Sequence, residues 1–288
     1  MRNFLSILAI TMALVSCSNN EGTSAAIGPQ LIVKFRFDSD QIRLNNIGQP
    51  STVPDGNAAQ SPDFNAISAH YIELAPTAFT QLGDGTVIYI ADETTVGGSR
   101  AIDFSKAKIV AEGEAFLAIP LSQLQAGEYS WVRASLAYQD YNIAVRSAGV
   151  DYTGTLQSFV GYNTYIETHS IGSNSFVVNA NRPQGYYAFA LNGFPYATSG
   201  QAPPGATTVP NPLASTSPIP QGSCVVTGQF SEHLIITGNE TQDITITLSL
   251  SINNSFEWQE ITADGKYEPA IGESVVDMGL RGLIPSHN

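Results

Sequence analysis

The chain has 288 residues, 43% of them hydrophobic and only 13% charged, with 25 acidic against 12 basic side chains and a formal net charge of -13. A net acidic surface repels phosphate backbones, which excludes nucleic acid as a partner, and gives no electrostatic attraction to anionic lipid. Charged content well below the ~25% of average globular chains, with Ser, Thr, Asn, Gln and Gly in its place, suits a β-rich exported body.

The first element is a leader. Met1-Arg2-Asn3 is a short basic start, and Phe4 to Ala13 is an apolar stretch. Roughly 7–15 apolar residues make a secretory h-region, too short to span a bilayer. Leu14-Val15-Ser16-Cys17 then resembles the bacterial lipobox, with a branched residue three places before a cysteine and a small one directly before it. The resemblance implies that Cys17 is diacylated on sulfur, that residues 1–16 are removed, and that the freed amino group is acylated too. The mature chain would carry 11 basic and 25 acidic residues, a net of -14, because Arg2 is the only charge removed. Two or three acyl chains anchor stably where one is marginal. No later run approaches the roughly 18 apolar residues of a membrane-spanning helix.

Residues 17–29 are small and polar, the composition of a flexible tether. Ser18 is not the aspartate linked with inner-membrane retention in some bacteria, so the resemblance leans to the outer membrane, on its periplasmic or surface side. Ser18-Asn19-Asn20-Glu21 resembles the tethers of surface lipoproteins of Bacteroidota-type bacteria, with the acidic run reduced to Glu21.

Residues 30–288 read as the body. Leu31, Val33, Phe35 and Phe37 alternate with Ile32, Lys34, Arg36 and Asp38, a half-buried strand of period two. Further strands are predicted at 71–74, 86–90, 108–110, 115–119, 129–138, 141–145, 175–179, 186–191, 225–230 and 234–236. Ile244, Ile246, Leu248, Leu250 and Ile252, alternating with Thr and Ser, predict a last clear one. Gly, Pro, Asn and Asp punctuate them, and no three-turn helical stripe occurs. The fold class is therefore all-β, an antiparallel β-sandwich of one composite or two adjoining layers. Single turns are predicted at 105–108 and 122–125. Ala126-Gly127-Glu128-Tyr129 resembles the corners of extracellular β-sandwich modules, with Gly127 supplying permissive backbone angles. Residues 193–224 hold seven prolines and read as a long irregular excursion or a linker.

Candidate chemistry is dispersed. Cys17 and Cys224 are the only cysteines, so a lipidated Cys17 leaves no disulfide, and Cys224 reads as a small buried hydrophobe. His70, His169 and His233 are candidate metal ligands that would have to converge from separate strands. Glu167 and His169, two apart, would share a strand face. Asp38-Ser39-Asp40, Asp92-Glu93 and Asn239-Glu240 read as solvated turns, and Asp277 with Arg281 as a salt bridge near the chain end. No nucleophile elbow or phosphate loop occurs. Aromatics concentrate between Tyr138 and Tyr196, and Tyr162, Tyr165, Tyr186 and Tyr187 are the candidate ligand-stacking residues.

The opening strand Leu31 to Phe37, Tyr89-Ile90-Ala91-Asp92 and Ala126-Gly127-Glu128-Tyr129 together resemble envelope lipoproteins with an MbnP-like β domain, over about a third of residues 30–150. Members are linked to copper handling, but no run of His, Met or Cys matches a copper site here, so no cofactor is carried over. The first reading is a non-enzymatic, lipid-anchored envelope β-sandwich that binds a glycan or a protein partner. The second is a copper- or zinc-handling envelope lipoprotein, and the third a hydrolase.

Overall fold

The computed structural model describes residues 28–44, 49–204, 206, 222–280 and 282–288. The expected leader, Cys17, nearly all of the expected tether, Arg281 and half of the proline-rich segment lie outside these. Eighteen strands occur among the described residues: β1 (Gln30–Asp38), β2 (Asn57–Gln60), β3 (Asp63–Ala75), β4 (Thr86–Ile90), β5 (Glu93–Thr94), β6 (Ala101–Asp103), β7 (Ala115–Pro120), β8 (Gly127–Ser147), β9 (Val150–Phe159), β10 (Asn163–Ile171), β11 (Asn174–Pro183), β12 (Tyr186–Leu191), β13 (Ala197–Gln201), β14 (Cys224–Ile236), β15 (Ile244–Ser251), β16 (Phe256–Gln259), β17 (Ser274–Asp277) and β18 (Leu283–His287). Among the described residues three single 3-10 turns are the helical content, two of them at Phe104–Lys106 and Leu121–Gln123, close to the predicted turns. Among the described residues no helix is long and apolar enough to cross a membrane. The fold is an all-β sandwich.

The 21-residue β8 organises it. On one edge it pairs antiparallel with β3. On the other it has two partners in succession: β14 along Gly127–Leu136 and β9 along Tyr138–Ser147. A two-strand reading of this region, 129–138 and 141–145, becomes one continuous strand whose partner changes midway. The seven-stranded sheet runs β13-β12-β9-β8-β3-β4, with β14 beside β8. A second sheet, β18-β15-β1-β7, includes a parallel β1–β15 pair in register from Leu31 against Ile244 to Asp38 against Ser251. Two smaller sheets, β11-β10-β6-β5 and β17-β16-β2, complete the body.

The alternating apolar faces make the main core. Leu31, Val33 and Phe35 from β1 and Ile246, Leu248 and Leu250 from β15 are fully buried, and pack with Ile72, Leu74, Val132, Ala134, Leu136 and Val226 of the large sheet. Cys224 and Leu280 belong to this core. A second cluster around Tyr141, Ile143, Phe256 and Trp258 lies beyond the switch in β8. Apolar burial at about 25 cal/mol per Å² is the driving force in both.

Three local expectations differ from the structure. Residues 108–110 form only an isolated bridge, Val110 to Ile67, not a strand. Residues 193–224 are not irregular throughout, because the proline-free Ala197–Gln201 pairs with β12 as edge strand β13. Gly127 does not take a positive φ. The corner is held instead by Tyr129, whose hydroxyl donates to Gln125 O at 2.7 Å, the tyrosine-corner device of many β-sandwiches.

Candidate functional site

The three candidate histidines lie in separate environments. His70, on β3, is 2% exposed, and its Nε2 donates to Glu93 Oε1 at 3.0 Å. Tyr162 OH reaches the same oxygen at 3.0 Å, and Arg100 clasps both oxygens of Glu93. This network brings His70 and Tyr162 together, their rings 5.2 Å apart. Burial lowers the His70 pKa against the pull of Glu93. Burial also raises Glu93, but hydrogen bonds from Arg100, His70 and Tyr162 outweigh it and bring the carboxyl down. With its oxygens taken by these donors, Glu93 has little basicity to offer a substrate, and the group acts as a fixed joint between β3, β5 and the start of β10.

His169, on β10, is 3% exposed and sits among the rings of Phe104, Tyr138 and Phe159, with no partner for Nε2. Burial brings its pKa down to about 4, with Asp140 opposing. The expected sharing of a face with Glu167 fails because the β10–β11 register shifts between Ile166 and Thr168, leaving Glu167 outside and His169 inside. His233 is exposed on β14 and pairs with Glu128 of β8. Among the described residues no three His, Cys, Asp or Glu side chains are grouped to hold a metal ion. Asp38 Oδ1 accepts from the backbone N–H of Asp40 and Gln41, each at 2.9 Å, which is a local turn.

The four candidate tyrosines are likewise dispersed. Tyr165 is half-buried and donates to Asn179 Oδ1 at 2.8 Å across the β10–β11 hairpin. Tyr186 is buried against Phe159, with the Arg182 guanidinium over its ring. Tyr187, next in sequence, points to the other side of the sheet and packs half-buried on the second core.

A cleft of about 400 Å³ opens elsewhere, between the β10–β11 turn, β9 and the β12–β13 turn. Its lining includes Thr155, Ser173, Asn174, Asn192 and Phe194, and none of its lining residues is charged. Thr155 Oγ1 lies 2.8 Å from Asn142 Oδ1 and 2.9 Å from Asn192 Oδ1. One hydroxyl proton serves one of these amides at a time, and the other bonds the hydroxyl oxygen through its NH2 group when turned. Phe194 is half exposed at its rim and meets Tyr152 edge-on at 5.5 Å. The turn that presents it is set by Phe194 N–H donating to Leu191 O and Leu191 N–H to Tyr196 O. Hydroxyl and amide groups beside an aromatic ring, without charge, match a neutral polyhydroxylated ligand: the ring takes the C–H face and the amides the hydroxyls. Phe194 falls within the aromatic-rich stretch between Tyr138 and Tyr196, whereas Asn192 is not among the candidate residues of the sequence. The signal was the Asn192-Gly193 turn pair directly before an aromatic, after a strand.

Fold and cleft together define a β-sandwich with a small uncharged cleft on its flank. No family model matches this chain, and neither a curated protein nor a solved structure is significantly similar to it.

Proposed function

We propose that the chain is a lipid-anchored cell-envelope protein, held at the outer membrane through acylated Cys17, and that its β-sandwich binds a neutral glycan without catalysing a reaction on it. The observation that supports the ligand class is the cleft lining, in which Asn192 and Thr155 supply hydrogen bonds beside the Phe194 ring and no charge is present. The cleft lining holds no carboxylate, imidazole, thiol or amine that could act as an acid or base. The anchor reading rests on Leu14-Val15-Ser16-Cys17.

Two measurements test the proposal. A palmitate analogue should label the wild-type chain in cells and fail to label Cys17→Ser, with the variant leaving the membrane fraction; label persisting in the variant refutes the anchor. On a glycan array, Phe194→Ala and Asn192→Ala should each weaken binding of the neutral glycans that wild type retains by about tenfold or more, the loss of a central contact of about 1.4 kcal/mol. A blank array for wild type, with a stable protein complex recovered by cross-linking, turns the reading to a protein partner.

A further inference from the structure

We infer that the loop at residues 76–85 is a rigid platform that seats Phe79 in the surface of the bilayer to which the chain is tethered, an inference that rests on the Cys17 anchor.

Phe79 is 94% exposed, the most exposed large hydrophobic side chain among the described residues. Its loop is nonetheless fastened. Glu73 is fully buried on β3 and accepts from Gly83 N–H at 3.0 Å and Gly85 N–H at 2.7 Å. Gly85 must be glycine, since a Cβ there would lie 2.4 Å from both Glu73 Oε1 and Leu74 O. Arg133, buried on β8, donates to Thr80 O, and Leu82 packs on Tyr71. Thr77 and Thr80 close the tip, with Thr80 N–H on Thr77 O at 3.2 Å and Phe79 N–H on Thr77 Oγ1 at 3.2 Å. A buried carboxylate and a buried guanidinium thus order a short loop whose one large side chain points into solvent. A ring held in this way is already organised for contact, so little conformational freedom is lost when it inserts.

The choice of a lipid surface follows from where the chain leaves the body. Pro29 O accepts from Leu121 N–H at 2.9 Å, and Leu121 O from Leu124 N–H at 3.0 Å. Tyr129 OH then donates to Gln125 O and lies 2.7 Å from Thr86 Oγ1, the residue that ends the loop. The exit toward Cys17 and the Phe79 loop are therefore at one end of the sandwich, joined by a short relay of hydrogen bonds. From Cys17 to Gly28 the chain takes eleven residue-to-residue steps, a polar linker of roughly 18 Å mean reach and at most about 39 Å. From Gly127 to Arg133, which holds the loop, is about 20 Å along β8. The tether therefore holds this end within reach of the bilayer. The residues around Phe79, from Pro76 to Gln81, carry no charge. With a net acidic chain, contact comes from the ring and not from headgroup attraction.

The test uses the full chain as matured in cells, carrying Ala78→Cys labelled with an environment-sensitive fluorophore, in phosphatidylcholine vesicles bearing acyl-chain nitroxides. Cys224 is buried and an acylated Cys17 has no thiol, so the label goes to position 78. Expected is quenching at 78, its loss on adding Phe79→Ser while the chain still floats with the vesicles, and no quenching of a label at Val150→Cys, at the other end of β8. Flotation without quenching at 78 overturns the inference and leaves the anchor standing, whether a second copy or a protein partner is then found on the loop. Failure of the chain to float overturns both.

Discussion

Glu73→Ala is expected to destabilise the protein by about 3–5 kcal/mol, the range for removing one partner of a buried ion pair. The side chain is fully buried and serves four groups: Tyr71 OH at 3.1 Å, Gly83 N–H, Gly85 N–H, and the Arg133 guanidinium at 3.8 Å. Its loss strands two backbone donors and a hydroxyl, each an unmade hydrogen bond of about 1–3 kcal/mol when buried. It also leaves Arg133 without its counter-charge. Glu73→Gln keeps an acceptor of the same shape and should lose less. Urea denaturation of both variants measures the difference. Chymotrypsin under native conditions should cut after Phe79 in Glu73→Ala and spare wild type. Unchanged stability with wild-type resistance to cleavage would show that the loop is held by something else.

Acidification from pH 7 to pH 4 is expected to cost about 3 kcal/mol through His169 alone. Its folded pKa is about 4, against an ordinary value of 6.5. Above pH 6.5 the imidazole is neutral in both states, and stability is flat with respect to this group. Below pH 6.5 the unfolded chain takes a proton that the folded one refuses, so stability falls with pH, and the fall levels off once the folded state is protonated below about 4. Each pH unit in that window is about 1.4 kcal/mol. The cause is the setting: an imidazole among Phe104, Tyr138 and Phe159, with no partner for Nε2 to share a proton. His70, lowered by burial, acts with the same sign. His169→Leu isolates the term. Its urea midpoint should fall less between pH 7 and pH 4 than that of wild type, by the equivalent of about 3 kcal/mol. Parallel pH profiles would rule the effect out.

The strands were legible where one face alone is buried. In β1 and β15 the apolar positions of a period-two pattern are the residues that reach the core. Legibility fell in β8, where Val132 through Gln139 are all buried because both faces are covered, so no alternation marks the strand or its change of partner. The candidate site was harder still. Tyr162, Tyr165, Tyr186 and Tyr187 are neighbours in sequence, but a strand sends successive side chains to opposite faces and bulges re-aim them. The cleft assembles Thr155 from the middle of β9, Asn174 from the start of β11 and Asn192 from just past β12, which no local pattern links.

By itself the sequence determined the β class, the two alternating core strands, the burial of Cys224 and the tyrosine-bearing corner, because each depends on period, composition or a short local motif. Tertiary structure alone decided that His70 and Tyr162 share Glu93, that His169 is sealed among rings, that an uncharged cleft opens beside Phe194, and that Phe79 stands exposed on a loop fastened by Glu73 and Arg133. Those depend on register and on which partner a strand takes. Register is a property of pairs of strands far apart in the chain, and hydrophobic periodicity within one strand does not specify it.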